Sequence, residues 1–243
     1  MKRVESYEVL RKRQKLIWQM ASLAVILFLF FELTSSYLLK SYVIRTDGMI
    51  PAIAVNSYIL VSPSAYGFKL PFSNRINTFH NLPARGDVVL MDNPSATDLN
   101  PLAHMVNRFI RFFTLQKSGI SKSIDDLNRP LVKRIVAIAG DTIKIEDNVV
   151  YIRQAGSIHF LTEHEIVNQI YDTLRTGRPV GWRNEMPFSG YLDEMTLQEN
   201  EFFVMNDNRI HSNDSRYFGV ITSDEIQGKV VFKYWPLTKP FLL

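Results

Sequence analysis

The chain has 243 residues, 46% of them hydrophobic and 21% charged, which suits one membrane segment plus a globular body and excludes a disordered or low-complexity protein. Cysteine is absent, removing disulfide frameworks, thiolate zinc sites and a cysteine nucleophile together. The formal charge of +4 is carried entirely by residues 1–15, with six basic and two acidic side chains, and the remaining 22 basic and 22 acidic residues balance. A body that tracked a phosphate backbone would hold a basic surplus of its own, so nucleic-acid binding is disfavoured.

Lys2, Arg3, Arg11, Lys12, Arg13 and Lys15 form a basic tail over 1–15. From Leu16 to Phe31 the only polar residues are Gln19 and Ser22. That run is short of the roughly 20 residues a spanning helix needs. Its continuation through Glu32 to Leu39 supplies the length, with Trp18 and Tyr37 as interfacial anchors, and predicts a transmembrane helix over 16–39. A cleaved leader has a similar charged start and apolar core, but no small-x-small site closes this run. Only Lys40 and Arg45 follow within the next stretch, so the positive-inside bias puts the N-terminus in the cytoplasm and the body on the outer face of the membrane.

Beyond residue 40, short β-branched or aromatic runs end in turn signals. These are Tyr58–Val61, Asp87–Met91, Val132–Ala139, Thr142–Ile145, Val149–Ile152, Glu201–Met205 and Lys229–Tyr234. They predict a mainly β body, a barrel or sandwich. In between, Leu102, Met105, Val106, Phe109, Ile110, Phe112 and Phe113 fall at helical spacing, with Arg108, Arg111 and Lys117 as a basic fringe. Two readings stay open for this helix: packing on the β body, or lying in the membrane interface beside the anchor.

Five blocks carry a resemblance. They are Tyr42–Pro51 (YVIRTDGMIP), Ala65–Pro71 (AYGFKLP), Arg85–Val89 (RGDVV), Val132–Thr142 (VKRIVAIAGDT) and Met205–Gly219 (MNDNRIHSNDSRYFG), trailed by Gly228-Lys229 and Trp235-Pro236. In this order and spacing the chain resembles bacterial type I signal peptidase, the membrane-bound enzyme that removes signal peptides from exported proteins. The resemblance implies a signal-peptidase-like β core over 40–152 and 199–243, with a second, smaller β-domain inserted at 153–198. It also implies a serine/lysine mechanism that needs no metal or cofactor. A hydroxyl needs an adjacent base, and a lysine serves when apolar surroundings lower its pKa. Lys133, flanked by Val132, Ile135, Val136, Ala137 and Ile138, suits that role.

By the same resemblance Ser212 orients the lysine amine, Asp214 and Arg216 form a supporting ion pair, and Thr46 stands where a hydroxyl assists the oxyanion hole. Asp47, Met49 and Ile50 are the expected peptide-binding residues. His211 reads as loop surface.

The chain departs from the family at its centre. The family pattern Ser-x-Ser-Met-x-Pro-Thr meets Thr46-Asp-Gly-Met-Ile-Pro-Ala52 here, so the nucleophilic serine aligns with Gly48. Met49 and Pro51 lock that register, and Thr46, two residues away, lies about 6.6 Å off in an extended chain. Loss of the nucleophile costs on the order of 10⁶ in turnover at a comparable serine-protease site. Asn206, where the family usually has glycine, and Ala52, in place of threonine, are further departures. The expected function is a weak or inactive signal peptidase relative that binds signal-peptide-like segments as an added strand. Its expected partners are exported precursors, membrane lipid and an active paralogue. The alternatives are an active peptidase using Lys133 with a water or Thr46, and a purely structural tethered β-domain.

Overall fold

The computed structural model describes residues 7–69, 76–77, 82–96, 106, 109–110, 129–167, 171–175, 181, 183, 190–211, 213–236 and 241–242. It opens with helix α1 (Tyr7–Tyr37), 31 residues long, which starts inside the basic tail and ends two residues short of the expected boundary. Within it Val9–Phe31 is long and apolar enough to cross a membrane, and none of that span is buried by the rest of the protein. A 23-residue helix is about 35 Å long, which matches a hydrocarbon core. Only Leu38 and Leu39 separate α1 from the first strand, and both amides turn back to the Thr34 carbonyl.

Among the described residues the body is built of fourteen strands. They are β1 (Lys40–Val43), β2 (Tyr58–Ser62), β3 (Phe68–Lys69), β4 (Ile76–Asn77), β5 (Val88–Met91), β6 (Leu131–Ala137), β7 (Thr142–Glu146), β8 (Val149–Arg153), β9 (Leu161–Thr162), β10 (Leu192–Thr196), β11 (Glu201–Met205), β12 (Ile221–Thr222), β13 (Ile226–Trp235) and β14 (Phe241–Leu242). Every expected strand is present within a residue or two at its start, except that β13 begins three residues earlier. Two one-turn helices, α2 (Glu163–Ile166) and α3 (Ser215–Phe218), sit between them.

The large sheet runs β1-β2-β13-β5-β6-β11-β12, with β14 on β13. All its pairings are antiparallel. Register shifts along β13 bend that strand as bulges do and curl the sheet. At Gly228 a Cβ would stand 2.5 Å from the Ser62 carbonyl oxygen, so only glycine lets β13 pass this close to β2.

β5 shows why the body holds together. Its Val-Val-Leu-Met run is buried on both faces. Val88 and Leu90 join Ile44, Met49, Ile53, Ile59, Val61, Val132 and Val230 on one side. Val89 and Met91 join Ile135, Phe202, Val204 and Ile221 on the other. This is the alternation of a strand, and two-sided burial explains why it reads as a continuous apolar run.

A second sheet, β10-β7-β8-β9, shares a core with the first through Val136, Ala137, Phe203 and Met205 packed on Ile143, Ile145, Val150, Ile152 and Leu197. This sheet begins at Thr142, where the tight β7–β8 hairpin pairs through β7 with β10 and not with the large sheet. Of the helical run around 102–113, only Val106, Phe109 and Ile110 are described residues, all three helical. The Phe109 ring meets Phe28 of α1 edge-on at 5.4 Å between centroids.

Candidate functional site

Lys133 lies on β6 between β5 and β11, opposite Val89. Only 5% of it is exposed. Burial is the main force on its amine; Asp214 opposes that force and Arg216 adds to it, and the pKa falls to about 8. A buried lysine near neutrality is what a general base requires. Its Nζ donates to Oδ1 of Asn206 at 2.6 Å. Arg134, next in the strand, turns to the other face. There it forks onto both carboxylate oxygens of Asp207 at 2.8 and 2.7 Å and lies 3.9 Å over the Tyr171 ring. The two cross-strand pairs, 133 with 206 and 134 with 207, fix the register at the end of the β6–β11 ladder.

Gly48 is buried in the turn after β1. Its carbonyl accepts the Asn208 amide at 2.9 Å, and the Asn208 side-chain amide reaches the Asp47 carbonyl at 3.4 Å. A Cβ on Gly48 would lie 2.7 Å from Asn206 Oδ1, the same oxygen that holds Lys133. The expected dyad positions 48 and 133 therefore converge on one atom. Thr46 is exposed on the same turn, and Ile50 is partly buried. Met49, 1% exposed, spends its side chain in the core against Ile44 and Ile53. Asp47 is exposed, and its Oδ2 lies 2.9 Å from Nε2 of His211 across the mouth of the site. His211 is loop surface, as its sequence context suggests, but it is a paired one.

The floor of the site is organised by Asp214. It caps α3 by accepting the Arg216 amide, forks with the Arg216 guanidinium at 2.9 and 2.8 Å, and takes the Asn206 amide at 3.0 Å. Arg216 also donates to the carbonyls of Arg209 and His211. Asp214 is fully buried, so its charge has no water to fall back on, and the pair ties Asn206, Arg209 and His211 to α3. Ser212 lies outside the described residues.

A strut from the second sheet's side braces the same loop. Leu174 exchanges backbone hydrogen bonds with Asp207 and Arg209. Glu163 of α2, almost wholly buried, takes Arg209 on one oxygen at 2.7 Å and Arg175 on the other at 3.2 Å. Sequence reasoning missed Asn206 as the acceptor of Lys133, Asn208 as the tie to Gly48, and this strut. The register of β6 against β11 carried the first signal, because Val204 opposite Ile135 and Met205 opposite Arg134 put Asn206 next to Lys133.

A family model described as signal peptidase, peptidase S26, matches residues 17–235. Signal peptidase I of Buchnera aphidicola subsp. Baizongia pistaciae (strain Bp) is 24% identical over 257 aligned positions, covering 97% of this chain and 82% of that protein. Signal peptidase I of Buchnera aphidicola subsp. Acyrthosiphon pisum (strain APS) is 24% identical over 231, covering 86% and 72%. Signal peptidase IB of Staphylococcus aureus (strain N315) is 25% identical over 129, covering 51% and 63%. Among solved structures, a signal peptidase I from Enterococcus faecalis V583 aligns at 19% identity with a TM-score of 0.31, over 62% of this chain and 97% of that one.

Proposed function

Because this chain belongs to the signal peptidase family of S26 peptidases, we propose that it binds the signal peptides of exported precursors at the membrane and cleaves them weakly or not at all, Gly48 standing where the nucleophilic serine belongs. The observation that carries this reading is the buried Lys133 amine, lowered to about 8, directed at an oxygen that also touches the position of a Gly48 side chain. A solvated surface lysine would point elsewhere and keep its ordinary pKa. Here the base is kept and the hydroxyl it would activate is missing.

In this reading Lys133 is the former general base, Ser212 orients it, Thr46 lines the oxyanion hole, and Asp214 with Arg216 supports the loop. Asp47 and Ile50 contact the peptide, whereas the burial of Met49 confines that residue to shaping the turn. The precursor segment lies as an added strand beside β1, the end strand of the large sheet among the described residues. The division into a basic tail (1–15), anchor (16–39), core (40–152 and 199–243) and insert (153–198) belongs to the same proposal. So do the single-pass topology, with the tail cytoplasmic and the body outside, and a role beside an active paralogue.

The test is a precursor incubated with the full-length protein in vesicles, with and without Lys133→Ala. The expected outcome is saturable binding by the wild type and equal, background-level product from both proteins. Product that drops to background only in Lys133→Ala would mean instead that Lys133 activates a water. Absence of binding would reduce the body to a structural domain.

A further inference from the structure

Among the described residues, Asn206 is the buried polar side chain that touches both positions of the dyad. It is 1% exposed, and each end of its carboxamide is committed: Oδ1 accepts Lys133 Nζ at 2.6 Å and Nδ2 donates to the His211 carbonyl at 3.0 Å. Its own amide is held by Asp214. A Cβ built on Gly48 falls 2.7 Å from Oδ1 and 3.1 Å from Cγ, inside the contact distance of carbon with either atom. The side chain is short and bonded at both ends, so it cannot swing aside without giving up Lys133. The Gly48 backbone itself has no left-handed φ, so it is this neighbour that opposes a side chain there.

Taking Gly48 as the nucleophile position of the proposed function, we infer that the Asn206 carboxamide fills the place of a position-48 hydroxymethyl group and takes its hydrogen bond to Lys133. Positions 48 and 206 are one unit. Lys133 serves either an amide oxygen at 206 or a hydroxyl at 48. A serine restored at 48 alone meets an occupied space and an engaged base.

Asn206 can be trimmed without stranding its neighbours. The His211 carbonyl keeps its bond from Arg216 Nη2 at 2.6 Å, the 206 amide still reaches Asp214, and the hydroxyl introduced by Gly48→Ser replaces the lost acceptor of Lys133.

The experiment compares precursor cleavage by wild type, Gly48→Ser, Gly48→Ser/Asn206→Ala, Gly48→Ser/Asn206→Gly and the first double variant with Lys133→Ala, all full-length in vesicles. Gly48→Ser is expected to remain near the wild-type background, and either double variant to exceed it by at least about 100-fold, a gain that Lys133→Ala abolishes. Gly48→Ser cleaving as fast as the double variants overturns the inference. Where Gly48→Ser stays at background, its crystal structure decides the packing. A carboxamide pushed off its bonds, or an introduced side chain turned away from Lys133, supports it. An introduced Oγ bonded to Lys133 beside an unmoved Asn206 overturns it. If that structure shows the displacement and every variant is nevertheless inactive, the occupancy stands and it is the peptidase reading of the site that falls.

Discussion

At the scale of single residues, the site is governed by what burial does to protons. Lys133 enters the fold as a charge that water no longer stabilises, and its pKa drops to about 8 from an ordinary 10.5. Below pH 8 it is charged in both the folded and unfolded states and the fold bears the desolvation penalty. Between about 8 and 10.5 the unfolded chain holds that proton and the folded one does not, so stability rises with pH, by roughly 3 kcal/mol over the window. The buried hydroxyls of Tyr66 and Tyr171 act in the opposite sense. Burial pushes both upward from 10, so above about pH 10 only the unfolded chain ionises and stability falls. Denaturant unfolding of the protein should therefore show greatest stability between about pH 8 and 10, and Lys133→Met should flatten the rising side. A stability curve already falling at pH 8 would contradict the assignment. Lys133 could be singled out in the sequence because the family-like blocks around it agree with its contiguous apolar neighbours, which alone would not have sufficed. The role of Asn206 could not, since it depends on two chains of contact, one 73 residues away, meeting at a single oxygen.

Elements were readable to the extent that their signals are local. Strand alternation and turn residues lie within a few positions of each other, which is why β2, β5, β6, β8 and β11 emerge from pattern alone. Which strand pairs with which is a long-range matter, and the placement of β7 and β8 in the second sheet followed from β10, about fifty residues beyond its β7 partners. The strut is the extreme case. Glu163, Arg175 and Arg209 come from three separate segments, and each alone reads as an ordinary surface charge. Together they make a cluster, buried at Glu163 and Arg209, in which removing one of those two charges leaves the other uncompensated. Glu163→Gln is expected to destabilise the body by about 3–5 kcal/mol. In a body of this size that is a fall of about 10 °C in Tm. Calorimetry measures it directly, and a loss under about 1 kcal/mol would show that Arg209 is satisfied without its partner.

The whole molecule is a body held close to one apolar helix. The basic residues ahead of the span set the proposed orientation, so externally added protease should spare the tail in intact cells and remove it in inverted vesicles, while the body behaves the opposite way. Digestion of the tail from outside would reverse the topology. Phe109 meets Phe28 inside the apolar span, so that one ring shares the depth of the helix it packs on. The two-residue link from α1 to β1 carries a further consequence. Gly48 follows the last helical residue by eleven positions, so even a fully extended chain could hold it no more than about 40 Å from the helix end, and the pairing of β1 with β2 shortens that leash. With α1 in the bilayer, the site patrols a shell next to the lipid and not the open compartment. Under the proposed function it meets its peptides by lateral diffusion, and a segment free in solution is a poor match however well its side chains fit.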